Sequence, residues 1–589
     1  MSSSQSVRAE FIEPLNRVLA WMLSCRNAEG AIICPYHRIE HTGKSAGALL
    51  LACALARHDP RADFDFLLGV AREQAGRLVG RLEREGDSTC FTFRPGRHDP
   101  YNCSNSVIDG SACSDALVEC VQIFGEHLEE HEVDTFTHAA VLCAQTYLRY
   151  CILDKGIPAQ KAWAMTGAAQ AFRLSKHAVL EFSVREGARI LAEVQRSDGS
   201  YPYHPLESGA GHPGAGDASS YYQSRVTAFL AFALERAGHD PGDSPWAGDL
   251  QRGIDFLLGL MGPDGIKAGL VEAKPWYHGA NYEVASHPFD LYALGVGLVY
   301  LKDARCAPAM LASFRSWSKH LLPSGQPQSH LPGPGRGSSY QCPMFWAAHA
   351  SWVARALPML EAAANAPSSK AAGPSTRLFR DTGLIRLESG TLSAWVRGPR
   401  PAGNLHHGSL LGAGLIRVVD MAGKELLVRN PRAASQEGEW HGRSGLPRWA
   451  SALGANRAEL RFSLWLARNA LRGRELARAM GIPWGVFCAG ILGYGSSVVS
   501  SSCDRQATLE LLPEGARVRG VLAHTDGQRI PGADFERSFT LQDGGLLVRE
   551  TCAWGPKARQ TVPRHATHVS QQEGELSYLL APAQNGLRT

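Results

Sequence analysis

The hydrophobic periodicity of this chain changes once along its length, and that change restricts the possible folds more than any other feature. From residue 8 to about residue 363, apolar residues recur at i, i+3, i+4 and i+7, as in EFIEPLNRVLAWML and SRVTAFLAFALERAG, which is typical of packed α-helices. After the stretch EAAANAPSSKAAGPSTR, segments such as LFRDTGLIRLESG and QATLELLPEGARVRG alternate with a two-residue repeat, which indicates β-strands. The sequence therefore predicts a helical domain followed by a β domain.

The helical part has room for roughly eleven or twelve helices, separated by turns rich in Gly, Pro and Asp. Antiparallel helix pairs in this number can close into an α/α toroid, in which helix ends and connecting loops frame a cleft. We expect an incomplete (α/α)5-6 toroid in residues 1–363, a linker in 364–375 and an antiparallel β-sandwich in 376–589.

The composition is that of a globular protein with no preference for nucleic acid. The 60 basic residues nearly balance the 56 acidic residues, and 44% of the chain is hydrophobic. A near-neutral charge provides no general attraction for a nucleic-acid backbone. A chain of 589 residues also exceeds what one core supports, so several domains are expected.

The chain shows no sign of a membrane segment or a metal-binding motif. Its longest apolar run, AGALLLACALA at Ala46–Ala56, is about half the length that crosses a bilayer. The first residues lack the charged-then-apolar order of a secretory signal. The 14 cysteines include no CxxC pair, which is typical of core residues in a reducing compartment. We expect a cytoplasmic protein, or a periplasmic one if a signal has been removed, with no membrane partner and no metal.

One connection between helices is unusually long and aromatic. It begins SDGSYPYHP at Ser197 and ends in the two tyrosines that open the next helix. Helix–helix connections are usually about two to eight residues long. A connection of this length that carries tyrosines, histidines and glycines is interpreted as one wall of a binding cleft, because glycine lets a backbone approach a bulky ligand closely.

The order of several motifs resembles that of the heparinase II/III-like and alginate polysaccharide lyases. The stretch YNCSNSVIDGSACSDALVEC is similar to the Asn-containing loop and helix of those enzymes, and SDGSYPYHP followed by DASSYYQSRVTAFL is similar to their Asp-Gly-Ser stretch and helix-opening Tyr. LFRDTGLIRLESG resembles the first strand pair of their β domain, and GNLHHGSLLGAGLIRVVDMAG resembles its histidine-bearing strand. In those families a His follows the second Asn and a His-x-His-x-Asp motif occurs, whereas this chain has Ser106 and NLHHG.

The resemblance implies β-elimination at a uronic acid, which needs a group that neutralises the carboxylate, a base and an acid. Asn105, with Asn102 as the second choice, is the candidate neutraliser, although both residues also suit a helix N-cap. Tyr222, with Tyr221 nearly equal to it, is the candidate phenol, and a tyrosine packed between helices is the alternative. One of His406 and His407 would complete the set, because adjacent residues of a strand face opposite sides.

Other polar and aromatic residues are candidates for substrate binding. An Arg can bind a carboxylate through two parallel hydrogen bonds, and aromatic rings pack against sugar faces or fill gaps between helices. The substrate-binding candidates are Arg38, His41, His204, His212, Trp276, Tyr277, His278 and Arg336.

These observations predict a lyase that acts on an acidic polysaccharide or oligosaccharide, without a cofactor. An α/α-toroid glycoside hydrolase is an alternative, since such an enzyme uses two carboxylates on either side of the scissile bond. The carboxylates available for that chemistry are Asp109, Glu207, Asp217, Glu283 and Asp290. A uronate C5-epimerase or a non-catalytic glycan-binding or assembly protein also fits, and the oligomeric state stays open.

Overall fold

The computed structural model describes most of the helical part and most of the strands. The described residues are 3–35, 38–40, 42–91, 104–154, 156–203, 218–269, 285–328, 343–367, 374–399, 412–428, 437–444, 471, 474, 498–524, 527–542, 544–572 and 575–582. They fall into two compact units. The helical unit comes from Met1–Gly209, Tyr221–Leu258 and Asn281–Ser368, and the sheet unit comes from Ala210–Ser220, Gly259–Ala280 and Ser369–Thr589.

In the described part of the helical unit, the helices follow one another along the chain and one short hairpin of strands lies among them. The helices are α1 Ser3–Ser24, α2 Thr42–His58, α3 Phe64–Val79, α4 Ser104–Phe124, α5 Glu130–Cys143, α6 Arg149–Asp154, α7 Pro158–Ser175, α8 Ala178–Val194, α9 Ser220–Arg236, α10 Ala247–Leu260, α11 His287–Val299, α12 Cys306–Lys319, α13 Pro343–Ala348, α14 Ala350–Arg355 and α15 Leu357–Ala364. The hairpin consists of β1 Leu82–Glu85 and β2 Ser88–Phe91. None of the helices in these described ranges is both long and apolar enough to span a bilayer.

Local sequence signals explain several helix ends. The Asp63 side chain accepts a hydrogen bond from the Phe66 amide at 3.0 Å and so caps α3. Glu129 and Glu132 form a reciprocal capping box at the start of α5. Pro158 occupies the first turn of α7, where its missing N–H costs nothing.

Inner and outer helices of the unit differ in how much of their surface is buried. In α2 every residue from Thr42 to Cys53 is buried, and in α7 nearly every residue from Pro158 to Ala171 is buried. In contrast, α8 buries only a stripe that includes Leu180, Val184 and Leu191. A helix buried all round lies inside its domain, and one buried along a stripe covers its outside.

The inner helices close into a ring. Helix α2 packs against α4, α4 against α7, and α13 and α14 pack back against α2. Aromatic contacts complete the circuit: the Trp163 and Phe229 rings join α7 to α9 at 4.8 Å, and the Phe229 and Phe289 rings join α9 to α11 at 5.2 Å. A ring of inner helices surrounded by amphipathic helices agrees with the predicted fold class.

A repeated glycine turn packs consecutive outer helices together. Gly30, Gly199 and Gly325 follow α1, α8 and α12, and each has a positive φ between 79° and 87°, which glycine adopts at no steric cost. A Cβ on Gly199 would lie 2.0 Å from the Arg252 carbonyl oxygen of α10. One on Gly325 would lie 2.1 Å from the Arg17 carbonyl oxygen of α1. The turn after the last outer helix thus contacts the first one.

The sheet unit contains two antiparallel sheets in its described residues. The five-stranded sheet is a meander in the order β3-β4-β5-β6-β7, and the nine-stranded sheet has the order β14-β8-β9-β11-β12-β13-β16-β15 with β10 beside β11. The strands are β3 Ser375–Phe379, β4 Leu384–Glu388, β5 Leu392–Arg397, β6 Gly414–Asp420, β7 Glu425–Val428, β8 Glu439–Arg443, β9 Val498–Ser500, β10 Thr508–Leu512, β11 Gly515–His524, β12 Arg529–Gln542, β13 Gly545–Cys552, β14 Ala558–Thr561, β15 Ala566–Gln572 and β16 Glu575–Leu580. Side chains from both sheets form one hydrophobic core. An antiparallel β part after the helices is therefore confirmed.

A buried ion pair lies inside this core. Along β12, Phe535, Arg537 and Phe539 are all buried, so Arg537 occupies an inward position of the strand. Its Nε donates to Glu550 at 2.9 Å and its Nη1 donates to the Ala413 carbonyl at 2.9 Å. Because Ala413 leads into the other sheet, the guanidinium ties the two sheets together.

We expect Gly325→Ala to destabilise the helical unit by roughly 1–3 kcal/mol, because a non-glycine residue is strained at positive φ and its Cβ would overlap the Arg17 backbone. Urea unfolding followed by circular dichroism measures the change. Gly69→Ala is the matched control, since Gly69 is an exposed glycine inside α3 with no neighbour within 4 Å of a Cβ. This control should gain about 0.5–1 kcal/mol. Equal effects of the two variants would refute the role of the turn.

We expect Arg537→Met to cost about 3–5 kcal/mol, because it leaves the fully buried Glu550 carboxylate without its cation. Arg549→Met changes the same residue type at an exposed position of the neighbouring strand and should shift the free energy of unfolding by less than about 0.5 kcal/mol. Chemical denaturation of both variants gives the comparison. A cost for Arg537→Met no larger than that of the control would contradict the proposed tie between the sheets.

Candidate functional site

The first two turns of the inner helices contribute one group of buried side chains. We call this group the N-terminal cluster. It consists of Lys44, Asp109, Trp163, Arg225, Phe289, Phe345 and His349, all of which are less than 9% exposed. The chain segments that carry most of the predicted site residues lead directly into these same helices. The cluster is therefore the part of the helical unit from which to build a candidate site.

A buried ion pair joins α2 to α4 in this cluster. Lys44 Nζ lies 3.0 Å from Asp109 Oδ1, and both side chains are almost completely buried. The ammonium also lies 4.8 Å from the centre of the Phe345 ring, a distance at which the ring face attracts a cation. Gly43 lies so close to Asp109 that a Cβ there would be 2.0 Å from Oδ1. The small residue before Lys44 thus allows the carboxylate to approach α2.

A second buried cation, Arg225, has no carboxylate partner in the described part of the chain. Its Nη1 donates to the Tyr221 carbonyl at 2.9 Å and its Nη2 to the Ala285 carbonyl at 3.4 Å. Its guanidinium lies between the Tyr221 ring at 3.5 Å and the Phe289 ring at 4.3 Å. Removing an ion from water costs several kcal/mol. The two carbonyl dipoles and two ring faces offset this cost only in part, because none of them carries a full negative charge.

His349 also contacts the Phe289 ring, with the ring centres 4.8 Å apart. Burial, followed by the positive charges of Arg225 and Lys44, lowers the pKa of His349 well below its ordinary value. Its hydrogen bond to the Ala285 carbonyl requires a ring N–H, and Nδ1 has no hydrogen-bond partner among the described residues. His349 is therefore neutral near pH 7, and the positive charge of the cluster comes from Lys44 and Arg225.

Helix α11 contributes a buried histidine and carboxylate beside the cluster. His287 Nδ1 lies 2.8 Å from Ser313 Oγ and 3.6 Å from Asp290 Oδ2. Both side chains are at most 1% exposed. Asp290 and Asp109 were the two hydrolase candidates that lie in the described ranges, and both are buried beside a basic side chain.

The two helix-opening tyrosines occupy different environments. Tyr221 is 3% exposed and carries the Arg225 guanidinium on its ring. Tyr222 is half-buried, and its ring centre lies 5.3 Å from that of Tyr203. Of the pair, Tyr222 is the more exposed to solvent.

The start of α9 is fixed by a glutamine that holds the preceding turn. Gln223 Oε1 accepts from the Tyr201 amide at 3.1 Å, and Gln223 Nε2 donates to the Gly199 carbonyl at 3.0 Å. This pair of hydrogen bonds sets the turn against the helix and brings Tyr203 next to Tyr222. The Asp-Gly-Ser stretch thus has a structural role in positioning the tyrosines.

The remaining predicted residues are described only in part. Asn105 is the second residue of α4, one turn before Asp109, so its backbone lies at the same helix end as the cluster. Arg38 is exposed and has a positive φ of 57°. The other candidates lie outside the described residues: Asn102, His41, His204, His212, Trp276, Tyr277, His278, Arg336, His406 and His407. Their roles stay predictions.

Sequence reasoning missed Arg225 and His349. Arg225 is the only charged residue between Ser220 and Leu234 in the sequence of α9. The lack of other charges indicates a helix that is buried on all sides, and this could have predicted that Arg225 is buried. His349 has no comparable signal, because its environment depends on residues from α2, α9 and α11 that are far apart in sequence. Within the described ranges, no group of three or more His, Cys, Asp or Glu side chains is arranged to hold a metal ion.

Comparison with known proteins gives similar solved structures at low sequence identity. The chondroitin AC lyase of Streptomyces coelicolor A3, in complex with chondroitin sulphate, is 12% identical over 94% of this chain and 70% of its own, with a TM-score of 0.49. The cellobiose 2-epimerase of Spirochaeta thermophila is 12% identical over 60% of this chain and 98% of its own, with a TM-score of 0.42. A variant of the type II terpene cyclase MstE from Scytonema is 13% identical over 60% of this chain and 100% of its own, with a TM-score of 0.38.

No protein-family model matches the chain, and no curated protein matches it. Similarity at 12–13% identity with TM-scores below 0.5 assigns neither a family nor an activity, and the named proteins catalyse different reactions. The chemistry of the site is what remains to support a function.

Helix direction adds to the charge of the cluster. Each helix N-terminus carries a partial positive charge of about half an elementary charge, and the N-terminal ends of α2, α4, α7, α9, α11 and α13 contribute residues to this cluster. Lys44 and Arg225 add two full charges, and Asp109 balances one of them. The inner-helix N-termini thus form a positively polarised end of the ring, which favours an anionic ligand.

We expect Lys44→Met and Arg225→Met to differ in their effect on stability. Lys44→Met removes the cation beside a buried carboxylate and should cost about 3–5 kcal/mol. Arg225→Met leaves no described carboxylate unpaired and should change the free energy of unfolding by no more than about 1 kcal/mol. Urea denaturation measures both changes. A similar large loss in both variants would show that Arg225 is needed for folding, and it would remove the case for a functional role.

Proposed function

We propose that this protein is a carbohydrate-active enzyme that cleaves a uronic-acid-containing polysaccharide or oligosaccharide by β-elimination. The observation that carries this proposal is Arg225, a buried guanidinium that no described carboxylate pairs, at the positive end of the helix ring. A folded protein gains little stability from an uncompensated buried charge. The positive potential that this charge adds at the helix N-termini, which attracts an anionic substrate, is the better reason for its presence.

The enzyme must bind the substrate carboxylate and neutralise its charge before the C5 proton can be removed. A negatively charged carboxylate makes the neighbouring C5 proton a poor acid, because loss of the proton adds further negative charge. Donors that hydrogen-bond the carboxylate stabilise the enolate that forms. Asn105 is the proposed donor, and its position one turn before Asp109 places it at the end of α4 where the helix dipole supports the same task.

The elimination then moves one proton off the sugar and one onto the leaving group. A base removes the C5 proton, the C–H electrons form a double bond between C4 and C5, and the glycosidic bond at C4 breaks. An acid protonates the departing oxygen, so that charge balances. Tyr222 is the proposed phenol for one or both transfers because it is the accessible member of its pair. His406 or His407 is the proposed second group, as the sequence resemblance implies.

The described carboxylates do not favour a hydrolase. An inverting glycosidase needs an acid and a base about 6.5–9.5 Å apart with room for a water molecule. Asp109 is held by Lys44, and Asp290 lies beside His287, each in a buried environment. Uronate epimerisation shares the first proton abstraction with the lyase, and the products distinguish the two reactions.

A screen of acidic polysaccharides and oligosaccharides for ultraviolet absorbance tests the proposal, because β-elimination creates an unsaturated uronate that absorbs. We expect one or more substrates to give this signal with the full chain. Tyr222→Phe should lower kcat by roughly 100-fold or more, the usual contribution of a proton-transfer group. Tyr150→Phe, at an exposed position of α6, is the matched control and should keep the wild-type rate.

The same assay separates the alternatives. New reducing ends without absorbance would indicate hydrolysis, and exchange of the C5 proton with solvent without chain cleavage would indicate epimerisation. Binding of a glycan with neither product would indicate a non-catalytic protein. An unchanged rate in Tyr222→Phe would remove that residue from the mechanism even if the elimination itself is observed.

A further inference from the structure

A separate cavity lies at the other end of the inner helices. Its volume is about 370 Å³, within the range of small-molecule sites. Arg57 and Arg236, from the last turns of α2 and α9, and Arg355, the last residue of α14, line it. The N-terminal cluster uses the first turns of the same helices, so the two groups are different places in the helical unit.

Carboxylates pair with these arginines but do not use all of their donors. Arg57 Nη2 lies 3.1 Å from Glu119 Oε2, and Arg355 Nη2 lies 2.7 Å from Asp115 Oδ1. Arg236 lies 3.8 Å from Glu119 and 3.5 Å from Glu235. These pairs fix the guanidinium groups at the wall of the cavity.

Buried guanidinium N–H groups at this wall have no acceptor among the described residues. They are Arg355 Nη1 and Arg236 Nε, and Arg173 Nη1 is a third unpartnered donor nearby. The Arg355 side chain is 8% exposed, so its spare donor cannot be satisfied simply by bulk solvent. A buried donor without an acceptor destabilises the folded state, and a bound acceptor would recover that loss.

The charge of the group calls for a single negative charge. The four guanidinium groups of Arg57, Arg173, Arg236 and Arg355 stand against the carboxylates of Asp115, Glu119 and Glu235. Burial, followed by the positive charge of Arg236, lowers the pKa of Arg173, which shows that these cations lie in a common field. One further negative charge would balance the group. The second charge of a dianion would be repelled by Glu119 and Glu235, which line the same cavity.

The rest of the lining is apolar and aromatic. Leu50, Val299 and Met359 contribute aliphatic surface, and Tyr292 and Tyr300 contribute rings. The Tyr292 hydroxyl donates to Glu235 at 3.0 Å, so the phenol is already satisfied. This surface suits a hydrocarbon or aromatic body rather than a hydrated sugar.

We propose that this cavity binds a small organic monocarboxylate, with the carboxylate against Arg355 and Arg236 and the apolar body against Leu50, Val299 and Met359. Arginine is the residue best suited to this anion, because its planar fork matches a carboxylate. The site does not depend on the lyase proposal, since none of its residues belongs to the N-terminal cluster.

Titration of the full chain with acetate, benzoate, cyclohexanecarboxylate and inorganic phosphate tests this site by calorimetry and by the shift in Tm. We expect saturable binding of benzoate or cyclohexanecarboxylate and a rise in Tm, since a ligand that binds only the folded state stabilises it. Benzamide, the neutral analogue of benzoate, should bind at least about tenfold more weakly, because it lacks the charge-assisted hydrogen bonds.

Variants locate the binding. Arg236→Met removes one guanidinium and should weaken benzoate binding by roughly tenfold or more, and Arg185→Met, exposed on α8, is its control. Ala362→Trp places a large ring at an exposed lining position and should block the site without disturbing the core. Ala304→Trp, exposed but not part of the lining, should leave binding unchanged.

Each other outcome overturns the proposal. Phosphate binding without carboxylate binding would show that the anion class is wrong. Carboxylate binding that survives both Arg236→Met and Ala362→Trp would place the ligand elsewhere. No binding of any probe would show that the cavity holds only solvent. Because none of these measurements uses glycan cleavage, failure here is distinguishable from failure of the proposed lyase activity.

Discussion

The meeting of inner-helix N-termini around buried cations is the constraint on which the rest of the helical unit depends. Helix dipoles make each N-terminus positive, so adding Lys44 and Arg225 there works against the local field. Asp109 neutralises one charge at 3.0 Å, and the Phe289 and Phe345 ring faces receive both cations. The aromatic and small residues at the start of these helices therefore do more than fill space. They also stabilise the charged groups that are buried among them.

The hydrophobic period was enough to predict the fold class because it records which faces of each element are buried. A helix such as α8 repeats its apolar residues every three or four positions, and a strand such as β12 alternates buried and exposed residues. The glycine turns that link outer helices were also visible as NAEG, SDG and PSG after helical segments. Their common role was not recognised, because it depends on a backbone contact between segments distant in sequence.

Local sequence indicates single residues of the candidate site, whereas the contacts between those residues depend on the fold. Adjacent helical positions point about 100° apart, so the sequence predicts that at most one of Tyr221 and Tyr222 faces a cleft, and Tyr222 is the more exposed of the two. The pairing of Lys44 with Asp109 bridges 65 positions along the chain, and local sequence carries no information on such a contact. Arg537 in the sheet unit is similar: its strand pattern predicts an inward residue, but its partners come from three separate segments.

The two ends of the helix ring place opposite demands on their arginines. At the C-terminal ends, Arg57, Arg236 and Arg355 lie where the helix dipole favours cations, and carboxylates pair with each of them. Most of their charge is thus already balanced, and the unsatisfied N–H groups, the one remaining positive charge and the adjoining cavity together favour a monoanionic ligand. At the N-terminal end, Arg225 has neither a favourable dipole nor a described carboxylate. A bound anion at that end would offset both the unfavourable helix dipoles and the missing carboxylate. The positive charge of Arg225 is therefore what supports the proposed function.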